Sequence, residues 1–318
     1  MTGFIYLIIT LIILLSFISL NVLFLVYMER KVSGHMQRRY GPMEVGPHGI
    51  LQIIADGLKL ISKQLLVPDA ADKPLFWLAP LIVFAPVPVI LIVIPFSEHL
   101  LIRNINLGLL LILAFSSFNV LAILLAGWSS NNKYSLIGAA RAVAQNIAYE
   151  IPICLALLAV VFKAGTLNFL EIVNSQGHFP WQWYAVTQPL AFFIYFIAGV
   201  AETNRTPFDL PEAESELTAG FHTEYSGIGF GLFFLAEYTN VFIVCAVAAT
   251  LFLGGWQGPV LPGVIWFFIK VYLLVFVMMW FRWTYPRVRF DQLLSFSWKY
   301  LIPLSLFNLI LTAILMKL

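Results

Sequence analysis

The sequence predicts an all-α integral membrane protein with about eight transmembrane helices and one amphipathic interfacial helix in its first polar loop. Three observations carry that reading. Of 318 residues, 61% are hydrophobic and only 11% charged, against roughly 25% charged in soluble domains. Eight apolar runs are each about the length needed to cross a bilayer, ~20 residues. The basic residues gather in alternate loops, as orientation in a membrane requires.

The composition also excludes classes of function. The net charge of +2 says nothing about partners, but the lack of a basic cluster on one face argues against a nucleic-acid partner. Two isolated cysteines, Cys154 and Cys245, argue against a disulfide framework or an iron–sulfur site held by the chain itself. No CxxC, HExxH, Walker A or GxGxxG pattern occurs, so no metal-, nucleotide- or flavin-binding motif is present.

The first apolar run, residues 4–28, has no basic start and exceeds the hydrophobic region of a cleaved signal, so it reads as a retained first helix. The remaining spans are expected near 76–97, 107–127, 147–165, 184–201, 230–253, 263–281 and 299–317. Pro80, Pro86, Pro88 and Pro95 should kink the second. The intervening cytoplasmic loops are 29–75, 128–146, 202–229 and 282–298, and the whole chain is one membrane domain. Fourteen Lys and Arg residues fall on that side, against Arg103, Lys163 and Lys317 on the other, with Lys270 inside span seven. Both termini are therefore expected on the non-cytoplasmic side. No internal repeat is visible, which disfavours an inverted-repeat transporter.

Within 48–66, apolar residues recur at Ile50, Ile54, Leu58, Ile61 and Leu65, while Gln52, Asp56, Lys59 and Lys63 form a polar stripe. This predicts an amphipathic helix of about 28 Å. It either lies on the membrane surface or lines a protein cavity with its polar stripe.

Charge is concentrated between spans five and six. AETNRTPFDLPEAESELTAGFHTEY, residues 201–225, holds six of the sixteen acids: Glu202, Asp209, Glu212, Glu214, Glu216 and Glu224, with Arg205 among them. Pro211 followed by acids is how an ordinary helix start looks. The two-residue spacing of Glu212, Glu214 and Glu216 nevertheless prevents them from sharing one helix face. A partner-docking loop and an ion pathway both fit. Glu150, after Tyr149, and Glu237, before Tyr238, lie inside or at the edge of apolar runs. A charge at mid-bilayer costs roughly 2.5–3.5 kcal/mol, so each should face water, an opposite charge or a proton. Glu150 could instead be an acid near a helix N-terminus, and Lys270 a structural counter-ion. The last polar loop, FRWTYPRVRFDQL, offers Arg282, Arg287, Arg289 and Asp291, either as orienting charge or as partners for the acidic loop.

Five stretches, in order, carry a resemblance: MERKVSGHMQRRYGPMEVGPHGILQIIADGLKL, RAVAQNIAYEIP, the acidic segment above, LAEYTNV and YPRVRFDQL. Over essentially its full length the chain resembles the family of the H subunit (subunit 1) of proton-pumping NADH:quinone oxidoreductase, respiratory complex I. The resemblance implies a non-redox membrane subunit between the hydrophilic arm and the membrane arm, forming a quinone-binding chamber and coupling quinone reduction to proton translocation. It implies Glu29, Arg30, Asp56, Lys59, Lys63, Arg205, Arg282, Arg287 and Asp291 at the quinone chamber. Proton coupling would fall to Glu150, Glu202, Asp209, Glu212, Glu214, Glu216, Glu224 and Glu237, with Tyr149 and Tyr238. Quinone is the implied substrate, with FMN and iron–sulfur clusters held by partner subunits. Implied partners are the hydrophilic quinone-site subunits of the redox arm, small membrane subunits, antiporter-like subunits and lipid. The implied location is the inner membrane of a bacterium, with mitochondrial inner or plastid membranes as alternatives. Gln64 stands where relatives often carry an acid. A homologous anchor of a membrane-bound hydrogenase or formate hydrogenlyase, or a stand-alone ion transporter, are the competing readings.

Overall fold

The computed structural model describes residues 2–211 and 217–317; Glu212, Glu214 and Glu216 lie outside them. The described residues form helices joined by turns, with no strand among them. The protein is an all-α integral membrane protein. Seven of these helical segments are long and apolar enough to cross a membrane, and an eighth, Pro189–Glu202, is shorter.

The first helix, α1 (Thr2–Met36), runs well beyond its apolar run. Leu14, Ile18, Val22 and Leu25 are buried along one stripe, spaced at three or four residues. Glu29 falls four residues further on the same stripe, so helical geometry points it inward. The amphipathic helix α2 (Leu51–Ser62) is shorter than the expected 48–66. Lys63 is extended, and the chain beyond it is tied elsewhere: Ser226 Oγ accepts from Leu66 N at 3.1 Å and donates to the Gln64 carbonyl. Helices α3 (Lys73–Phe84) and α4 (Pro86–Val93) form one span broken at Ala85, where Pro86 and Pro88 deny the ladder two donors.

Helix α5 (Gly108–Ser129) is followed closely by α6 (Lys133–Ala164), which occupies much of the expected loop 128–146. Asn132 explains the early start: its side chain accepts from Tyr134 N at 3.0 Å as an N-cap. At the other end Gly165 adopts φ 71°, a left-handed C-cap. Short helices α7 (Phe169–Asn174) and α8 (Tyr184–Thr187) lead into α9 (Pro189–Glu202). Then come α10 (Gly227–Phe252) and α11 (Gly263–Thr284). Finally α12 (Phe290–Phe296) passes through a wide π turn at Ser297–Leu301 into α13 (Ile302–Leu315), so the last span starts well before the expected residue 299.

Helix α10 is the hub, with 72% of its apolar window buried. It packs against α1, α2, α3, α9 and α11, while α6 packs on α5, α9 and α13. Alanines at 246, 248 and 249 are fully buried and allow this close approach. The acidic segment lies over this junction, held by Tyr225, whose ring stacks on Phe76 at 4.1 Å.

Candidate functional site

Four charges from distant parts of the sequence meet, one of them, Arg205, from the acidic segment itself. Glu29 comes from the inward stripe of α1, Arg205 from the turn after α9, Glu237 from α10 and Arg282 from the last turn of α11. Arg282 Nη1 donates to Glu29 Oε1, and Arg205 Nη1 lies 3.5 Å from both Glu29 oxygens. Arg205 Nη2 is 3.1 Å from Glu237 Oε1. The Tyr238 ring covers the guanidinium of Arg205 at 4.2 Å, a cation–π contact. Two acids and two bases balance, which is the condition for burying charge at tolerable cost. Burial works against the charge on Arg205, but Glu237 and Glu29 outweigh it and push its pKa upward. Glu237 keeps 26% of its side-chain surface against 11% for Arg205 and Glu29, so it is paired yet still reachable.

That surface faces a cavity of about 190 Å³, lined by Glu202, Arg205, His222, Glu237, Tyr238, Arg282 and several phenylalanines. A second cavity of about 50 Å³ is lined by Glu202 and Glu150 together with apolar residues. The two share Val83, Asn119, Glu202, Thr203 and Asn240 along their walls. Each has room for water, which needs about 10–15 Å³. Acids thus follow one another from the ion cluster through Glu202 to Glu150.

Around the cluster, the acidic segment meets the last polar loop. Asp209 Oδ2 accepts from Arg287 Nη2 at 3.0 Å, and Val288 N donates to the Pro207 carbonyl at 3.0 Å. Burial raises the Asp209 pKa, with Arg287, Arg282 and Arg205 opposing but not cancelling it. Arg30 binds Asp56 at 2.6 Å, and Gln52 donates to the other Asp56 oxygen at 3.1 Å, joining α1 to α2.

Other candidates stand apart. Lys59 and Lys63 are exposed. Asp291 lies 3.6 Å from Arg289 with both side chains about 80% exposed, away from the cluster. Glu224 accepts from Asn132 Nδ2 at 2.6 Å beside the start of α6. Tyr149 points away from the cavities and donates to the Leu293 carbonyl at 3.0 Å. Lys270 lies far from the cluster and donates to the carbonyls of Leu253, Gly255 and Gln257 at 2.5–2.9 Å, with Trp183 over its ammonium at 4.0 Å.

Sequence reasoning passed over several residues. Gln145 is fully buried and its Nε2 contacts the Ala201 carbonyl, Asn204 Oδ1 and the Phe208 carbonyl, pinning both ends of the turn that bears Arg205. His222 lines the larger cavity, and burial lowers its pKa to about 4. Asn119 and Asn240 line both cavities, and a polar side chain inside an apolar span was the available signal.

Comparison with known proteins places the chain. The NADH dehydrogenase family profile matches residues 9–313. The NADH-quinone oxidoreductase H subunit of Desulfotalea psychrophila is 52% identical over 310 residues, covering 94% of this chain and 93% of its own length. Proteins of the same name from Dehalococcoides mccartyi and a Geobacillus species are 52% and 49% identical, over 97% and 96% of this chain and 86% and 91% of their own lengths. Matches this long and this close mean that the chain belongs to the NADH dehydrogenase family, among the H-type membrane subunits of NADH-quinone oxidoreductase.

Proposed function

We propose that this chain forms the quinone-binding chamber together with the hydrophilic arm of the complex, and couples quinone reduction to proton translocation. The observation that carries the reading is the run of acids and cavities from Glu29, Arg205 and Glu237 through Glu202 to Glu150. Quinone, the substrate named in its relatives, draws protons when reduced. Charge that appears near Arg30, Asp56, Arg205, Arg282 or Arg287 shifts the balance of the ion cluster. Interacting carboxylates titrate as a set, so a change at one end alters proton occupancy at the other. Lys59, Lys63 and Asp291, exposed in this chain, belong on this reading to the chamber wall that is completed when partner subunits cover them. Glu212, Glu214, Glu216 and Glu224 remain assigned to docking or coupling, and Tyr149 and Tyr238 to supporting the acids.

The chain supplies no electron carrier on this reading; FMN and iron–sulfur clusters belong to the partner subunits. Small membrane subunits and antiporter-like subunits would receive the protonic signal beyond Glu150. We place the complex in the inner membrane of a bacterium, with both termini of this chain on the non-cytoplasmic side. The test is Glu237→Gln in the assembled complex. It should reduce both quinone reduction and proton pumping by about tenfold or more. Wild-type rates in an assembled variant would end the coupling role.

A further inference from the structure

Proline 152 lies inside α6, two residues past Glu150. Having no N–H, it cannot donate to the carbonyl four residues back, that of Ala148. In most helices a freed carbonyl is met by water or left as a kink. Here it is met by a side chain from the far end of the sequence: Ser297 Oγ donates to the Ala148 carbonyl at 2.6 Å, and Ser297 is fully buried. One residue along, Tyr149 Oη donates to the Leu293 carbonyl at 3.0 Å. Ser297 also opens the π turn, so the ladder of the last span is relaxed where it grips α6.

The other end of α12 is fastened to the acidic segment, through Val288 N to Pro207 and Arg287 to Asp209. Gln145, one turn before Tyr149, binds that segment directly at the Ala201 and Phe208 carbonyls. The turn of α6 before the proline is therefore clamped from two directions, and Glu150 begins the part of the helix beyond the clamp.

We infer that α12, through Ser297 and Tyr149, is a strut that transmits the position of the Arg205–Asp209 turn to the break in the hydrogen-bond ladder at Pro152 and so sets the aim of Glu150 into its cavity. Ser297, Tyr149 and Pro152 are positioning residues; none touches a reacting group. The inference rests on the coupling role given above to Glu237 and Glu150. A strut separates two quantities: electron transfer to quinone needs the chamber, whereas protons moved per electron need the chamber and Glu150 to stay in step.

The test uses the whole complex in inverted membrane vesicles, measuring NADH oxidation with quinone and the proton gradient it generates. Ser297→Ala should keep electron transfer within about twofold while the proton-to-electron ratio falls by at least about twofold, the scale of a modest coupling energy. Ser297→Thr, which keeps the hydroxyl, should restore the ratio. Pro152→Ala, which returns an N–H to the Ala148 carbonyl and so displaces Ser297 from it, serves if Ser297→Ala does not assemble, and should give the same split. An unchanged ratio in the assembled variant, or a parallel fall in both rates that Thr does not rescue, overturns the strut. Glu237→Gln is run beside them. If it lowers both rates and the ratio in the assembled Ser297 or Pro152 variant is unchanged, the strut fails and the coupling role stands; if Glu237→Gln is itself wild type, the coupling role fails.

Discussion

Burial drives the His222 imidazole down to about 4, so it enters the folded chain neutral at ordinary pH. The sign of its linkage follows. Between pH 6.5 and about 4 the unfolded chain binds a proton that the folded chain refuses, so acidification through that window destabilises the fold. Asp209 works the other way, because its raised pKa makes the folded form the better proton acceptor above 3.8. His222→Asn should therefore flatten the acid-side loss of thermal stability, read as unfolding temperature against pH down to pH 5, and leave the neutral-pH value nearly unchanged. Acid identities were legible in the sequence because an ionised side chain in an apolar run needs a reason. The pairing of the last polar loop with the acidic segment was also open to the sequence, and Arg287 meets Asp209, but the partners of Glu29 were not legible. Glu29 and Arg282 meet across a sequence separation of 253 residues, which no local pattern reports. His222 was passed over because a single histidine beside an acidic run carries no periodic signal.

Among the elements, α10 carries the heaviest burden, since it bears Glu237 and touches most of the bundle. Its C-terminus is capped by another helix. Lys270 offers three N–H donors to three carbonyls just past the helix end, at Leu253, Gly255 and Gln257. That is a structural use of a charge inside span seven. Lys270→Met should lower stability by about 2–4 kcal/mol, because it strands buried carbonyls, while leaving the quinone reductase rate of the assembled complex near wild type. Thermal unfolding in detergent alongside activity checks both halves. The spans themselves were readable from hydropathy. Their ends moved where side chains intervened: Asn132 starts α6 early, and the Ser226 contacts stop α2 at Ser62. The paired roles of Pro152 and Ser297 could not be read from either residue, since each is ordinary until the fold brings them together.

At the scale of the whole molecule, the cluster gathers α1, the turn after α9, α10 and α11, so it closes only when nearly the full chain is in place. Arg205 stands 176 residues after Glu29, and Arg282 stands 253 after it. The fold class was visible in advance because membranes force a simple grammar of apolar spans and polar loops. The closing of the ion cluster was invisible, because it is a property of topology. It also has a consequence for how the protein is made. At about 5–20 residues per second, roughly 10–50 s pass between the addition of Glu29 and the addition of Arg282. Until Arg205 follows, 176 residues later, the first helix holds an unmatched acid, and its second partner comes only with Arg282. The nascent chain can settle only after its own last third arrives, so the same charges that organise the finished site also time its completion.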